Sequence, residues 1–425
     1  MKKYSLKYGE TSQDIMIDDQ QYDIDVIEPN YVHPDSETIS DRIVAQLSHP
    51  IGQFQWNTSL TKNPDTKIAI AINDKTRPVP HALLLPPLLN YLLELGFNKE
   101  QIIFYIATGT HLPMPSIEFT KIVPENIIQQ YKIISHDCDD EDDLQYIGNT
   151  SRKSPVWVNK AFYEADLKFV IGNIEPHHFM GFSGGYKSAS IGLTGRKTIN
   201  KNHSLITSPS AKVGIYDENP MRQDVEEIGQ MIGIDAALNI ILNTEREIVH
   251  VLFGSPLSMM EKGVALCRKV YETSIDKKYD LVIASVGGYP KDINFYQAQK
   301  ALTHASLITK ENGTVILCGE CREGSGSASF EKFVEQTTSY QDALTQFLSS
   351  PFQIGPHKAY QVAKLLEHIK VELVSALPYP LANKLHLQSS TNLQDVFNRI
   401  ESSLPNAATI AILPKAINTI PKFME

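Results

Sequence analysis

The chain has 425 residues, of which 42% are hydrophobic and 21% are charged, and its formal net charge is −10. Because this length exceeds the size at which one hydrophobic core keeps growing, we expect two domains. The acidic balance, without a block of Lys and Arg, excludes nucleic acid as the main partner, since phosphate contacts need clustered cations. No apolar run approaches about 18 residues, so we expect no membrane span.

The N-terminal residues and the cysteines lead us to expect a cytoplasmic protein. The first ten residues, MKKYSLKYGE, lack the apolar stretch of a signal peptide. Cysteine use is sparse (Cys138, Cys267, Cys318 and Cys321), as is typical of a reducing compartment. Cys318 and Cys321 form a lone CxxC, which we interpret as accidental, because one pair cannot supply the four ligands of a structural zinc site.

Short apolar runs alternate with helical patterns, which is typical of parallel α/β folds. The predicted elements, in chain order, are a strand at 67–73, a helix at 81–95, strands at 101–107, 131–135 and 167–172, a helix at 224–231 and a hairpin at 237–251. They continue with a strand at 279–286, a helix from about Phe295, and strands at 313–317, 370–375 and 408–413.

We place a domain boundary near residue 270. Residues 1–270 form a first α/β domain, to which 408–425 could return, and 271–407 form a second, Rossmann-like domain. The predicted fold class is therefore α/β, with two domains of mostly parallel sheets and an active-site cleft between them.

Each polar cluster of interest directly follows a predicted strand. In open α/β sheets, ligands bind beyond the carboxyl ends of the strands. We therefore expect Asp74–Arg77, His111, His177–Lys187 and Tyr296–Lys300 to converge on one cleft.

The segment from Glu175 to His203 is the most informative part of the chain and reads EPHHFMGFSGGYKSASIGLTGRKTINKNH. Its imidazoles can exchange protons near neutral pH or bind a metal. Its glycines let the backbone approach a ligand closely. Lys187 can pair with an anion or form a covalent bond. We interpret this segment as the lining of an active site.

Two turns that follow strands are further candidates. The turn Asp74–Arg77 combines cations and a hydroxyl with backbone N–H groups near a helix start, which suits a phosphate; the alternative is a capped surface turn. The turn that ends at His111 supplies one imidazole, and a lone histidine in such a place is more often structural.

Gln297 and Lys300 are three residues apart and would share a helix face, where they suit a substrate carboxylate. The alternative is a solvated helix surface. His357 and Lys358, at another predicted helix start, form a lower-ranked candidate.

In order, residue type and spacing, these clusters resemble the nickel-dependent lactate racemase family across most of the chain. The matching pieces are Asp74-x-Thr76-Arg77, Gly109-Thr110-His111, Glu175-Pro176-His177 through Ser183-Gly184-Gly185-x-Lys187, His203 and Gln297-x-x-Lys300. The resemblance implies a cytoplasmic isomerase that interconverts D- and L-2-hydroxy acids.

The resemblance also implies a cofactor, nickel(II) pyridinium-3,5-bisthiocarboxylic acid mononucleotide (the nickel-pincer nucleotide), and proteins that synthesise it as partners. It implies that Lys187 carries this cofactor covalently and that His203 is the protein ligand to nickel. The residues implied to hold the nucleotide are Asp74, Lys75, Thr76, Arg77, Ser183, Gly184 and Gly185. In this reading the first domain binds the cofactor and the second supplies a carboxylate clamp.

By the same resemblance, His111 and His177 are the paired acid and base. Tyr296, Gln297 and Lys300, with Arg77 assisting, would bind the substrate. Removing the C2 proton would create a carbanion beside a carboxylate, so hydride transfer to the cofactor through a 2-keto acid is the expected route. One imidazole would handle the hydroxyl proton of each enantiomer.

Lactate is the favoured substrate, because Phe179, Tyr296 and Phe352 suggest an apolar pocket. One alternative is a racemase or epimerase of another 2-hydroxy acid with the same cofactor. A second is a zinc hydrolase with His111, His177 and His203 as ligands, although the chain lacks an HExxH motif. A third is a non-catalytic protein that binds nucleotides or handles the cofactor.

Overall fold

The computed structural model describes residues 1–424, and the chain divides into two compact units. The central unit is Tyr31–Val270, and the terminal unit combines Met1–Asn30 with the chain from Tyr271 onward. No helix within residues 1–424 is both long enough and apolar enough to cross a membrane.

The strands, in chain order, are β1 (Lys2–Tyr8), β2 (Thr11–Ile17), β3 (Asp23–Val26), β4 (Ile68–Asn73), β5 (Ile102–Ala107), β6 (Lys132–Ser135), β7 (Leu144–Asn149), β8 (Pro155–Asn159), β9 (Leu167–Asn173), β10 (Pro176–His177), β11 (Gly181–Phe182), β12 (Ala236–Leu242), β13 (Ile248–Gly254), β14 (Glu272–Ile275), β15 (Tyr279–Ser285), β16 (Thr309–Cys318), β17 (Lys370–Val374), β18 (Gln388–Ser390), β19 (Thr409–Leu413) and β20 (Ile420–Phe423).

The α-helices are α1 (Ile39–Ser48), α2 (His81–Glu94), α3 (Glu125–Ile128), α4 (Lys160–Tyr163), α5 (Lys187–Ser190), α6 (Arg196–Ser204), α7 (Pro220–Ile232), α8 (Pro256–Tyr271), α9 (Phe295–Ala298), α10 (Lys300–Ser306), α11 (Ala328–Val334), α12 (Tyr340–Ser349), α13 (Pro356–Leu366), α14 (Tyr379–Lys384) and α15 (Leu393–Glu401).

The central unit is built on a sheet with the strand order β13-β12-β9-β4-β5-β6. All neighbours are parallel except β12 and β13, which form the predicted antiparallel hairpin. From β4 the chain first moves outward through β5 and β6, and it later returns to pair β9 on the other side of β4. The carboxyl ends of β4 and β9 therefore form a topological switch point, where open α/β sheets bind ligands.

The two strands at this switch point are almost completely buried. Every residue of β9 is buried, as are Ile68–Ile72 of β4. Helices cover such a sheet on both faces, so its inner strands read as continuous apolar runs rather than as alternating ones. This is why the sequence alone predicts these strands closely.

The terminal unit has its own sheet, with the order β18-β17-β16-β15-β19-β3 and only parallel pairs. The β1–β2 hairpin packs on one face of this sheet. Its alternate residues Leu6, Ile15 and Ile17 are buried in one cluster with Ile283 and Ile316 of the sheet. Both halves of the fold are thus α/β with mostly parallel sheets, and the predicted fold class is confirmed.

The predicted domain limits differ from the structure at both chain ends. Residues 1–30 lie in the terminal unit and not in the first domain, because β3 pairs with β19 and the β1–β2 hairpin covers the sheet. The segment from residue 408 does not return to the first domain, because β19 lies between β15 and β3. The predicted helix from about Phe295 is divided into two, since α9 ends at Ala298 and α10 begins at Lys300.

His304 makes the fold sensitive to acid. The residue is buried in α10, with Nδ1 2.6 Å from the carbonyl oxygen of Thr419. Burial lowers its pKa to about 4, although the hydrogen bond to Thr419 acts in the opposite direction. A histidine in the unfolded chain titrates near 6.5, so below about pH 6.5 the unfolded chain takes up a proton on this residue that the folded chain excludes. The free energy of unfolding therefore has its full value above about pH 6.5 and decreases as the pH falls towards 4.

Replacing His304 with Gln is expected to reduce the loss of unfolding free energy between pH 7 and pH 4.5 by about 2 kcal/mol. Urea unfolding at the two pH values measures the change. His368→Gln is the control, because His368 is largely exposed. An equal loss of stability in His304→Gln and the natural chain would show that the buried His304 is not a cause of the acid sensitivity.

Candidate active site

A cleft of about 580 Å³, including the part open to solvent, lies in the central unit at the carboxyl ends of β4, β5 and β9. The cleft brings together seven of the predicted site residues: Asp74, Arg77, His111, His177, Ser183, Gly184 and Lys187. Residues from four separate segments of the chain therefore line one cavity.

His111 is oriented in this cleft by a buried carboxylate. Its Nδ1 lies 2.6 Å from Oδ2 of Asp74, which is buried directly after β4. The other carboxylate oxygen, Oδ1, accepts hydrogen bonds from the Thr76 hydroxyl at 2.6 Å and the Thr76 N–H at 3.1 Å. Asp74 is therefore held in place by its own turn and in turn orients the imidazole.

The protonation of this pair follows from the same contacts. Burial on its own would raise the pKa of Asp74, but hydrogen bonds from His111 and Thr76 outweigh it and hold the pKa below its ordinary value. An ionised Asp74 accepts the Nδ1 proton of His111. In a neutral His111 the lone pair then lies on Nε2, which can accept a proton.

His177 has the opposite arrangement. It lies in β10, paired with Gly181 of β11, and its Nδ1 accepts a hydrogen bond from the Met180 N–H at 3.3 Å. A neutral His177 therefore carries its proton on Nε2 and can donate it. The ring of His178 stacks on that of His177 with centroids 4.9 Å apart, and Phe179 lies edge-on at 4.5 Å. His178 thus contributes packing to His177.

His203 is placed differently from the other predicted residues. It lies in the last turn of α6 and is absent from the cleft lining. Its Nδ1 is 3.0 Å from the carbonyl oxygen of Ile199, and its ring is 5.5 Å from that of Phe179. A neutral His203 that donates from Nδ1 carries its lone pair on Nε2, the arrangement usual in metal-binding histidines.

A buried polar cluster fixes the helix that carries His203. Asn202, the preceding residue, donates from Nδ2 to Asp224 of α7 at 2.9 Å. The same carboxylate accepts hydrogen bonds from the hydroxyls of Thr150 and Ser154. Since Asp224 is fully buried, these donors compensate its desolvation and hold α6 against α7.

The glycine-rich loop is built mainly by protein contacts. Gly184 and Gly185 have φ values of +90° and +58°, where other residues are strained. A Cβ on Gly184 would lie 2.6 Å from Oδ1 of Asn239, and one on Gly185 would lie 2.5 Å from Cγ of Met260. The loop therefore needs these glycines for its own packing.

Gly185 is not among the residues that line the cleft, and its N–H donates to Oδ1 of Asn239 at 2.7 Å. Gly184 does line the cleft, as does Ser183. The Ser183 hydroxyl donates to the carbonyl oxygen of Asn173 at 2.8 Å and accepts from the Glu175 N–H at 3.0 Å. Ser183 thereby ties the loop to the end of β9.

Lys75, another residue implied to hold the nucleotide, is paired within the protein. Its ammonium group forms an ion pair with Glu118, and Lys75 is not among the cleft residues. Thr76 supports Asp74 rather than lining the cleft, as described above. Of this turn, Asp74 and Arg77 line the cavity.

Sequence reasoning missed Arg222, which is 1% exposed in α7 and supports the glycine-rich loop. It forms an ion pair with Glu226, with Nη2 and Oε1 2.6 Å apart. Its Nη1 donates to the carbonyl oxygen of Gly184 at 3.0 Å and to that of Phe182 at 3.3 Å. The four-residue spacing of Arg222 and Glu226 was the available signal, but Arg222 lies before the predicted helix at 224–231, because the observed helix begins earlier, at Pro220.

The predicted carboxylate-binding residues lie in the terminal unit. Lys300, at the start of α10, donates from Nζ to Oε1 of Gln297 in α9, so the two side chains do adjoin as predicted. Tyr296 is the third member of this group, and its ring is 6.2 Å from that of His357. The lower-ranked pair His357 and Lys358 therefore belongs to the same cluster.

The zinc-hydrolase alternative receives no support from the geometry. Within residues 1–424, the ring nitrogens of His111, His177 and His203 do not form a three-ligand group. The group with suitable spacing is Asp137, Cys138 and Asp139, and Arg196 pairs with Asp139 through two hydrogen bonds of 2.6 Å.

Two family models together match most of the chain. The model described as the lactate racemase N-terminal domain matches residues 8–214, and the one described as the lactate racemase C-terminal domain matches residues 275–420. The lactate racemase of Lactiplantibacillus plantarum is 28% identical over 429 residues, covering 99% of this chain and 100% of that protein. The lactate racemase of Thermoanaerobacterium thermosaccharolyticum is 28% identical over 391 residues, covering 89% and 90%.

Solved structures show the same similarity. The lactate racemase apoprotein of Thermoanaerobacterium thermosaccharolyticum superposes with a TM-score of 0.91 at 26% identity, covering 99% of this chain and 100% of that one. A protein from Thermotoga maritima shares the fold, with a TM-score of 0.66 at 18% identity, covering 93% and 100%.

Replacing Arg222 with Met is expected to destabilise the central unit by about 3 kcal/mol, because it leaves the largely buried Glu226 without its cation and removes two hydrogen bonds to the glycine-rich loop. Thermal or urea unfolding measures the loss. The double variant Arg222→Met/Glu226→Gln should recover part of it, and Arg246→Met, at an exposed position, should change stability by less than about 0.5 kcal/mol. Equal stability of Arg222→Met and the natural chain would refute a supporting role for Arg222.

Proposed function

We propose that this chain, which belongs to the lactate racemase family, is a racemase that interconverts the D and L forms of a 2-hydroxy acid, with lactate as the favoured substrate. The observation that carries the proposal is the cleft at the β4–β9 switch point, which His111, His177 and Lys187 line together. Two imidazoles and a primary amine in one small cavity are the groups this reaction needs.

The two imidazoles support a reaction that runs in both directions. In their neutral forms Nε2 of His111 accepts a proton, whereas Nε2 of His177 donates one. A racemase must remove the hydroxyl proton from either enantiomer and return it to either product. Two histidines with opposite tautomers supply one proton acceptor and one proton donor, and general acid–base catalysis of this kind contributes roughly 10²–10⁴-fold.

The C2 hydrogen has to leave as hydride. If it left as a proton, it would leave a carbanion next to an ionised carboxylate, which is very unfavourable. Loss of hydride gives a planar 2-keto acid instead, which can receive hydride on its other face. Amino-acid side chains offer no hydride acceptor, so we propose the nickel-pincer nucleotide as cofactor. When bound, this group would accept the hydride from C2 and return it.

The residues present fit such a group. Lys187 presents a primary amine to the cleft and is proposed to carry the cofactor covalently. Arg77, on the same cavity, is proposed to bind its phosphate. Oδ1 of Asn73, also in the lining, is buried and accepts no hydrogen bond from residues 1–424, so it can accept one from a ligand. His203, with its lone pair on Nε2, is proposed as the nickel ligand.

We assign the substrate carboxylate to Gln297 and Lys300. An ammonium group and a side-chain amide that already touch each other can offer several N–H donors to the two oxygens of one carboxylate. Tyr296 is proposed to contact the same substrate. Proteins that synthesise the cofactor are proposed as partners in maturation.

The test is racemisation of D-lactate by the full chain produced together with cofactor-synthesis proteins. Chiral chromatography should show L-lactate, and in deuterated water the C2 hydrogen should be largely retained. Lys187→Ala should lose both the activity and the added mass on the intact chain. Lys201→Ala, in the same unit, is the matched control. Extensive deuterium at C2 would contradict hydride transfer, and an unmodified, zinc-containing protein would favour a hydrolase.

Replacing Asp74 with Asn is expected to lower kcat by roughly tenfold or more, because an amide no longer fixes His111 in the Nδ1–H form. The pH dependence of kcat should change with it, which a purely structural defect would not produce. His111→Ala should lower kcat at least as far, and combining the two changes should add little. A full additive loss in the double variant would show that Asp74 does not act through His111.

A further inference from the structure

Asp292 is a fully buried carboxylate in the segment between β15 and α9 of the terminal unit. Its Oδ2 accepts a hydrogen bond from the Gly9 N–H at 2.7 Å and another from the Glu320 N–H at 3.0 Å. Gly9 lies in the turn of the β1–β2 hairpin, and Glu320 lies two residues after the end of β16. One side chain therefore joins three segments that are distant in the sequence.

The turn of the hairpin holds the segment before α9 at a second point. The carbonyl oxygen of Gly9 accepts the Tyr289 N–H at 2.8 Å, so both backbone polar groups of Gly9 bind this segment. Gly9 has a φ of +54°, where other residues are strained. A Cβ on Gly288 would lie 2.8 Å from the carbonyl oxygen of Gly9, so the two backbones are in close contact. The segment has little room to shift against the hairpin.

From Asp292 to α9 the chain is also bonded to the segment at 321–325. The carbonyl oxygen of Asp292 accepts the Cys321 N–H at 2.8 Å. Further along, the Tyr296 N–H donates to the carbonyl oxygen of Ser325 at 2.9 Å. These hydrogen bonds lie at both ends of the stretch, so a displacement of Asp292 is passed on to the start of α9.

The start of α9 places the residues proposed to bind the substrate carboxylate. Asn294 caps this helix, and its Oδ1 accepts the Gln297 N–H at 3.1 Å. The side chain of Gln297 in turn accepts a hydrogen bond from Lys300. A helix of four residues is not stable by its own hydrogen bonds, so the position of α9 depends on what holds its start.

We propose that Asp292 is a positioning residue for the substrate carboxylate: by holding the start of α9, it sets where Gln297 and Lys300 present their donors. This inference rests on the proposed function, because it takes those two residues as the carboxylate site. The role needs an acceptor oxygen at the place of Oδ2. Oδ1 accepts no hydrogen bond within residues 1–424, so an amide nitrogen in its place removes none.

The first experiment measures kcat and KM for lactate in variants of the cofactor-loaded full chain. Asp292→Ala removes the acceptor and Asp292→Glu displaces it by one methylene group. Both should raise KM at least about tenfold, since a displacement of about 1 Å can cost about 100-fold. kcat should change less than about threefold, because carboxylate binding is lost equally from the ground state and the transition state. Asp292→Asn keeps the acceptor oxygen and should stay within about threefold of the natural chain.

Asp280→Ala is the matched control. Asp280 lies near the start of β15, whereas Asp292 follows its end, and Oδ2 of Asp280 accepts the N–H and the hydroxyl of Thr409 at 2.9 and 2.8 Å. Its loss should destabilise the same unit and leave KM unchanged. An unchanged KM in both Asp292→Ala and Asp292→Glu would overturn the inference. A raised KM in Asp292→Asn with none in Asp292→Glu would also overturn it, because charge and not position would then matter.

Hydrogen exchange separates failure of this inference from failure of the proposed function, since it needs neither cofactor nor turnover. Mass spectrometry of peptides that cover residues 292–300 should show exchange at least about tenfold faster in Asp292→Glu than in the natural chain, and unchanged exchange in Asp280→Ala. If no 2-hydroxy acid is racemised but this difference is found, the proposed function fails and the positioning of Gln297 and Lys300 by Asp292 stands. If racemisation occurs and exchange is unchanged, the positioning role is overturned and the proposed function stands.

Discussion

The parallel pairing of β4 with β9 is the constraint on which the candidate site depends. The two strands are distant in sequence, and the chain leaves them in opposite directions along the sheet. Their carboxyl ends consequently lie side by side, with Asp74 after one and the histidine-rich segment after the other. Because both strands are buried on both faces, their register is fixed by packing and the site inherits that rigidity.

Around this junction, the cleft residues are supported by side chains that lie outside the cleft lining: Thr76, Arg222 and Asn239. Thr76 holds Asp74, which orients His111. Arg222 and Asn239 hold the glycine-rich loop, because Arg222 donates to the carbonyl oxygen of Gly184 and Asn239 accepts from the Gly185 N–H. Arg222 and Asn239 are buried polar groups with specific partners, so the loss of either costs more than one hydrogen bond. The precision of the site therefore comes from α7 and β12 as much as from the turns after the strands.

In the terminal unit, spacing in the sequence reveals one pair of neighbouring side chains but not the residues that other helices bring to it. Gln297 and Lys300 were recognisable by their spacing, and the two side chains do meet. Lys358, in contrast, is 58 residues further along the chain than Lys300 and on a different helix. Its burial and its position over Tyr296 are what distinguish it from an ordinary surface lysine.

By itself, the sequence determined the apolar strands, the α/β class and the order of the chemical motifs, because continuous apolar runs and strand-end polar residues are local features. Tertiary structure decided the rest. Only the fold joins β3 to β19, since an edge strand carries too weak a local pattern to reveal its partner. Only the fold assigns the Gly185 N–H to Asn239 and pairs Lys75 with Glu118, because a long-range hydrogen bond or ion pair has no signature in residue spacing.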